Sequence, residues 1–295
     1  MLTNNRISVL YFLKLIKWDA LAIFIYAGVI GLTDHLPFFK SITIPIGLSA
    51  LVGTLLSLLL AFRTAQSYER WWEARIIWGA IVNDSRTLVR QLLQFIPSDE
   101  NKSRYIKQFA RRQSLWCYAL TSAMRKQEMP EQVKKYCDEY QLHSGNLPNL
   151  LLTRHAEELA ELSSRYQLDA NKQVQLDSTI QRLTDSMGRC ERIKNTIFPR
   201  SYSVLIHFLI YVLMTMLPFG LQHNNPWVEI VVATLIPVLF IAIERTAILM
   251  QDPFDNKPTD TPMLALSQTI ERNLLEMAGE PIPTATNNSD SYFIM

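Results

Sequence analysis

The chain has 295 residues, and its 29 Lys+Arg against 27 Asp+Glu leave a net charge of only +2, too little to build nucleic-acid binding on. Hydrophobic residues make up 48%, the opposite of a disordered composition. Nine glycines, with neither a GxGxxG nor a GxxxxGKS/T run, exclude the usual phosphate-cradling loops, and Cys117, Cys137 and Cys190, without paired spacing, exclude a disulfide framework and fit a reducing compartment.

Apolar residues are segregated along the chain. Residues 18–32 carry one charge, Asp19, at the edge, and residues 42–62 carry none over 21 positions. Residues 202–217 are interrupted only by His207, and residues 227–243 only by Glu229. An α-helix rises about 1.5 Å per residue, so about 20 apolar residues cross a hydrocarbon core. Links at 33–41 and 218–226 join these segments in two helical hairpins, which predicts four membrane helices. Arg6, Lys14 and Lys17 precede the first span, and Arg63, Arg70 and Arg75 follow the second. Arg189, Arg192, Lys194 and Arg200 precede the third, Arg245 follows the fourth, and the two links hold only Lys40. The positive-inside rule then places both termini and the middle in the cytoplasm. The predicted organisation is an N-terminal segment and first hairpin over 1–62, a cytoplasmic helical region over 63–201, a second hairpin over 202–243, and a cytoplasmic tail over 244–295. No cleaved signal peptide is expected.

The middle region reads as helix, with breaks at Pro97-Ser-Asp-Glu100 and Ser144-Gly-Asn-Leu-Pro148, and no alternating strand pattern supports anything but an all-α chain. Residues 63–201 hold 22 Lys+Arg and 16 Asp+Glu, a surplus of +6, whereas residues 244–295 hold 3 and 8, a balance of −5. An acidic tail lying against a basic body is therefore expected, with mobility after about Gly279.

Catalytic chemistry finds little support. His155-Ala-Glu-Glu-Leu lacks the second His at i+4 that a zinc helix needs. Asp252, Asp255 and Asp260 do not follow EF-hand spacing. His207 lies within an apolar run, where a neutral imidazole bonded to a backbone carbonyl is expected ahead of a functional group. Just past the second span, dense Arg, Glu and Trp suit an aromatic belt with same-face ion pairing, such as Arg70 with Glu73. Neither an enzyme, a cofactor nor a resident metal is expected.

One set of motifs is specific. Phe62-Arg-Thr-Ala-Gln-Ser-Tyr-Glu-Arg-Trp-Trp-Glu-Ala-Arg-Ile-Ile-Trp-Gly79 resembles the bestrophin signature, a Phe-Arg pair leading into Arg-Trp-Trp-Glu-Ala-Arg. Gly188-Arg-Cys-Glu-Arg-Ile193, Leu217-Pro-Phe-Gly220 and Asp252-Pro-Phe254 follow in the order of that family. The resemblance covers about residues 5–278 and is nearest the bacterial branch. Ile197 departs from the proline usual there, although Pro199 remains.

The resemblance implies a homopentamer of four-span subunits around a central ion pore in a bacterial inner membrane. Eukaryotic relatives conduct anions under Ca²⁺ control, and bacterial relatives tend to favour monovalent cations. Carried over by position, the family's narrow neck falls on Thr54, Leu58 and Phe62. Steps of four residues overshoot a helical turn by only about 40°, so these three share one face. Five copies of Leu58 and Phe62 make apolar rings, which gate by dewetting, and Thr54 makes the outer ring more polar than the large apolar residue common there. A second constriction at the cytoplasmic exit falls near Asn171, Lys172 and Val174. Asp252-Pro-Phe-Asp-Asn-Lys-Pro-Thr-Asp260 carries too little charge for the acidic Ca²⁺ clasp of eukaryotic members.

The reading is thus an all-α, pentameric channel for small monovalent ions. The surplus of +6 favours Cl⁻ and the bacterial branch favours Na⁺; the branch prevails because charge distant from the neck is screened. A Cl⁻-selective channel, and a non-conducting membrane scaffold or sensor with a cytosolic partner, are the rival readings. Ion flux separates channel from scaffold.

Overall fold

The structure, a computed structural model, describes residues 9–34, 36, 38, 44–196, 198–221 and 226–282. The described residues form nine helices and no strand: α1 Val9–Asp34, α2 Ile46–Phe95, α3 Lys102–Arg125, α4 Glu131–Glu139, α5 Leu147–Tyr166, α6 Ala170–Asn195, α7 Arg200–Gly220, α8 Pro226–Gln251 and α9 Met263–Ala278. Among the described residues, four helices are long and apolar enough to cross a membrane, on Lys14–Thr33, Ile46–Phe95, Ser201–Gly220 and Trp227–Gln251.

The chain divides into two compact units, one of residues 5–70 and 197–251, the other containing residues 71–196 and the segment from Asp252 onward. In the first unit, the apolar face of α1 (Ile23, Ala27) meets Leu56 and Leu60 of α2, Ile206, Ile210 and Met214 of α7, and Ala233 and Ile241 of α8 in one buried cluster. Gly31 permits a close approach of α1 to α8. A Cβ built there would meet Ile230 Cγ1 at 3.0 Å, so α1 and α8 pack as tightly as a missing side chain allows. Tyr26 and Thr215 share a hydroxyl–hydroxyl bond of 2.8 Å between α1 and α7.

The second unit buries Trp78, Ile81, Leu88 and Leu92 of α2 with Phe109, Trp116 and Leu120 of α3, Leu151 and Leu159 of α5, and Leu176, Leu183 and Met187 of α6. α9 lies on α3 through Met263, Ile270 and Leu274. Tyr118 donates to Glu271 Oε2 at 2.6 Å, and Lys107 pairs with Glu280 at 2.5 Å. Apolar burial therefore binds this part of the acidic tail to the basic region, with one charged pair at its end. The expected mobility after Gly279 concerns mainly residues 283–295, which lie outside the described residues.

Helix ends follow local chemistry. α2 starts after Pro45, whose fixed φ suits a first turn, and ends at Phe95 because Ile96 precedes Pro97 and is pushed out of the helical region. Lys126 closes α3 at φ 53° and Gln167 closes α5 at φ 47°, both left-handed caps. Residues 44 and 45 stand outside the helix, so the span expected over 42–62 becomes helical at Ile46. α8 continues past the expected end at residue 243, through Glu244 to Gln251, because nothing after Ile243 breaks a helix until Asp252-Pro253.

Candidate pore-lining site

Within the first unit, α2 turns one face inward and one outward. Leu56, Leu60, Arg63 and Ser67 are buried, while Leu51, Leu55, Leu58 and Phe62 are exposed, 69% for Leu58 and 56% for Phe62. Thr54 is exposed on the same side, its hydroxyl returned to the Ala50 carbonyl at 2.8 Å. The three residues assigned to a neck therefore share the face that this chain leaves uncovered. Thr54 is the polar member of the three, and its proton is already used within the helix.

The Phe62 level is gripped from behind. Its ring lies 6.2 Å from that of Tyr202 at the start of α7, and the Tyr202 hydroxyl donates to the Leu59 carbonyl at 2.9 Å. Next to Phe62, Arg63 turns into the unit. Its Nη1 donates to Glu244 Oε1 at 2.8 Å, with both side chains almost fully enclosed, and its guanidinium lies 5.4 Å from the Phe198 ring. Removing one partner of such an enclosed pair costs about 3–5 kcal/mol, because the other charge is left without compensation. Pairing thus fixes the helical phase of α2 at Phe62.

His207 departs from expectation. Instead of a backbone carbonyl, its Nε2 faces Glu244 Oε2 at 3.0 Å. The reason is tertiary: α8 brings a carboxylate to the level at which α7 carries the imidazole. Glu244 itself was not singled out in the sequence, although a lone acid at the end of an apolar run signals a buried partner. Between α1 and α8, Asp19 takes Nε and Nη2 of Arg245 in a two-point bond, both at 2.8 Å. A cavity of about 540 Å³ lies between α2 and α8, lined mainly by apolar groups including Leu60, Ala61, Phe240 and Ile243.

In the second unit, Asn171, Lys172 and Val174 sit within the first five residues of α6. Asp169 caps this helix through the Asn171 amide at 2.9 Å, Lys172 Nζ lies 5.8 Å from the Phe95 ring, and Val174 is 62% exposed. The signature motifs, far apart in sequence, also meet here. Glu73 receives Arg192 at 2.8 Å and Arg189 at 3.5 Å, Trp71 donates to the Thr259 carbonyl at 2.8 Å, and Lys194 reaches Asp252 at 2.6 Å. Arg70, in the first unit, donates from Nε to the Gln251 carbonyl at 3.0 Å. The expectation of a local pair between Arg70 and Glu73 overlooked these longer-range partners.

In the same unit, Arg112 donates to the Tyr136 hydroxyl at 3.1 Å, the Arg154 carbonyl at 3.1 Å and Glu158 Oε2 at 2.5 Å. His155 is fully buried and stacks on Phe109 at 4.9 Å. Burial, reinforced by the Arg112 charge, pushes its imidazole well below the ordinary 6.5. Among the described residues, no three or more His, Cys, Asp or Glu side chains are grouped to hold a metal ion.

Four apolar helices, a long α2 and these clustered motifs define a class of helical membrane protein, and comparison with known proteins identifies it. The family described as Bacterial/Fungal Bestrophin protein matches residues 8–276, and the chain belongs to that family. Curated relatives include the "Voltage-dependent anion channel-forming protein YneE" of Escherichia coli K12, 29% identical over 251 residues that cover 83% of this chain and 81% of the relative. Another is the "Voltage-dependent anion channel-forming protein RSc3414" of Ralstonia nicotianae, 29% identical over 79% of this chain and 77% of the relative. Among solved structures, a bacterial bestrophin homologue from Klebsiella pneumoniae matches with a TM-score of 0.80 at 26% identity, over 90% of this chain and 99% of that one.

Proposed function

We propose that the chain is a subunit of an ion channel whose pore runs past the face of α2 carrying Thr54, Leu58 and Phe62. The observation that carries this reading is that face itself: large apolar side chains left uncovered on a helix whose opposite face is locked in place by Arg63 and Glu244. Five copies around an axis would cover it and produce an apolar neck that conducts or closes according to its wetting. Membership of the bestrophin family and the channel-forming relatives support the reading. The subunits are placed in a bacterial inner membrane, with both termini and residues 63–201 on the cytoplasmic side. Asn171, Lys172 and Val174 are assigned to a cytoplasmic aperture.

Small monovalent cations, Na⁺ among them, are the first reading for the ion, from the bacterial branch. The names of the relatives and the +6 surplus favour Cl⁻ as the second. An apolar neck carries no formal charge to choose between them. The deciding measurement is the reversal potential of purified protein in planar bilayers under a NaCl gradient. A shift toward the Na⁺ equilibrium potential supports the first reading and a shift toward that of Cl⁻ the second. Silence of intact oligomers, with Phe62→Ala silent as well, refutes the channel and leaves the scaffold.

A further inference from the structure

Every helix of the first unit contributes an ionisable group to one level of the fold. Asp19 comes from α1, Arg63 from α2, His207 from α7, and Glu244 and Arg245 from α8. Arg63 and Glu244 pair at 2.8 Å, Asp19 and Arg245 pair at 2.8 Å, and Glu244 is also within electrostatic reach of Arg245 and Asp19. Two carboxylates and two guanidiniums cancel. His207 is the fifth member, 3.0 Å from Glu244 Oε2, and its side chain is 40% exposed while Glu244 is fully enclosed. Histidine is the side chain that changes charge between about pH 5 and 8, whereas arginine does not. A proton on His207 would thus be the one charge in this group without a counter-charge of its own.

The group is mechanically close to the neck residue. Arg63 follows Phe62 directly, and Tyr202 of α7 touches the Phe62 ring and bonds the Leu59 carbonyl. Tyr202 also stacks edge-on against Phe198, which lies beside the Arg63 guanidinium. The charged groups facing Glu244 and His207 are therefore Asp19, Arg63 and Arg245, with the Tyr202 hydroxyl on the same element as His207.

We infer that His207 and Glu244 form a proton-dependent charge element that tunes ion passage at the Phe62 level. With His207 neutral, Glu244 is held chiefly by Arg63 and the level is balanced. Protonated His207 takes a larger share of the carboxylate, relaxes the hold on Arg63 and adds one positive charge per subunit beside an apolar constriction, where field lines are least screened. Acid pH then favours anions over cations. The inference rests on the channel reading and on α2 lining its pore.

The test measures reversal potential under a NaCl gradient at about pH 8 and about pH 5.5, together with the ring ¹³C shifts of histidine-labelled protein in lipid vesicles. For the wild type, the Cl⁻/Na⁺ permeability ratio is expected to rise about threefold on acidification. His207→Gln should keep its pH 8 ratio throughout, and His207→Lys should show the acid ratio already at pH 8. The His207 resonance should titrate in that interval and be displaced by Glu244→Gln. A wild-type ratio independent of pH, or a full shift retained in His207→Gln, overturns the inference while leaving the channel intact. A silent bilayer with a titrating, Glu244-dependent His207 resonance removes the channel reading and sustains the charge element. A His207 ring that stays neutral across the interval overturns the element whatever the current does.

Discussion

Phe62 and His155 show how burial decides the work of a single side chain. Phe62 keeps a large ring exposed at 56%, touching Tyr202 on one side. On the proposed channel reading, truncation at Phe62→Ala should widen the neck and raise single-channel conductance, with little effect on the enclosed pair behind it. An unchanged unitary current in bilayers counts against Phe62 as a lining residue. His155 is the opposite case, enclosed and held neutral, with its pKa pushed well below 6.5 by burial and then by Arg112. A depressed imidazole contributes stability that is fully present above about pH 6.5, the unfolded value, and is lost as pH falls, because only the unfolded chain takes up the proton. The loss reaches about 1.4 kcal/mol per pH unit. His155→Phe keeps the stack on Phe109 and removes the titration, so its Tm should fall less than that of the wild type between about pH 7 and pH 5. Equal falls would place the acid sensitivity elsewhere. Asp260 acts in the other direction: burial raises its carboxyl to about 6, so its contribution is present below the ordinary 3.8 and lost as pH rises through about 6. His155 was legible in the sequence only as the remnant of a metal motif, since its partner Arg112 lies on another helix, 43 residues away.

At the scale of elements, pattern was a good guide to the existence of helices and a poor guide to where they stop. The charge-free run ending at Phe62 and the Arg-Trp-Trp-Glu-Ala-Arg block form one 50-residue helix, α2. The turn cluster at Pro97 falls between α2 and α3, and the cluster from Ser144 runs into the first turn of α5, which begins at Leu147 with Pro148 inside it. Beyond Gly79, α2 continues because its apolar residues recur at helical spacing and no proline occurs before Pro97. α8 runs beyond residue 243 to Gln251 because no breaker precedes Asp252-Pro253, and the charges it carries there, Glu244 and Arg245, are met by Arg63 and Asp19. Where α1 meets α8, a Cβ added at Gly31 would lie 3.0 Å from Ile230 Cγ1. Gly31→Val would drive branched methyls into that contact and should destabilise the unit by about 1–3 kcal/mol, the usual cost of overpacking. The check is a fall in Tm of detergent-solubilised protein; a Tm equal to wild type would mean that α1 moves aside freely. α9 was missed in the sequence because the acidic balance of the tail hid the apolar positions Met263, Ile270 and Leu274.

At the scale of the whole molecule, the carboxylates of the loop after α8 already have partners. Asp252 and Asp255 are already met by Lys194 at 2.6 and 3.7 Å, and Asp255 also by Lys257 at 2.7 Å, while Asp260 accepts the Lys257 amide at 2.9 Å. With ammonium groups on Asp252 and Asp255 and a backbone amide on Asp260, bilayer current should be unchanged on raising Ca²⁺ from zero to about 1 mM, a range that spans most protein Ca²⁺ affinities. Steep activation abolished by Asp255→Ala or Asp260→Ala would refute this. The sequence by itself determined the helical class, the four apolar segments and the family, because these rest on local hydropathy, helical spacing and uninterrupted motifs. It also set Thr54, Leu58 and Phe62 on one face of a helix, since 3.6 residues per turn requires it. Which face α2 turns outward was decided only by the tertiary structure, through the buried pair of Arg63 with Glu244 and the grip of Tyr202 on Leu59 and Phe62. The same holds for His207: its carboxylate partner lies on another helix, and a pairing energy between two distant positions leaves no mark on the periodicity of either.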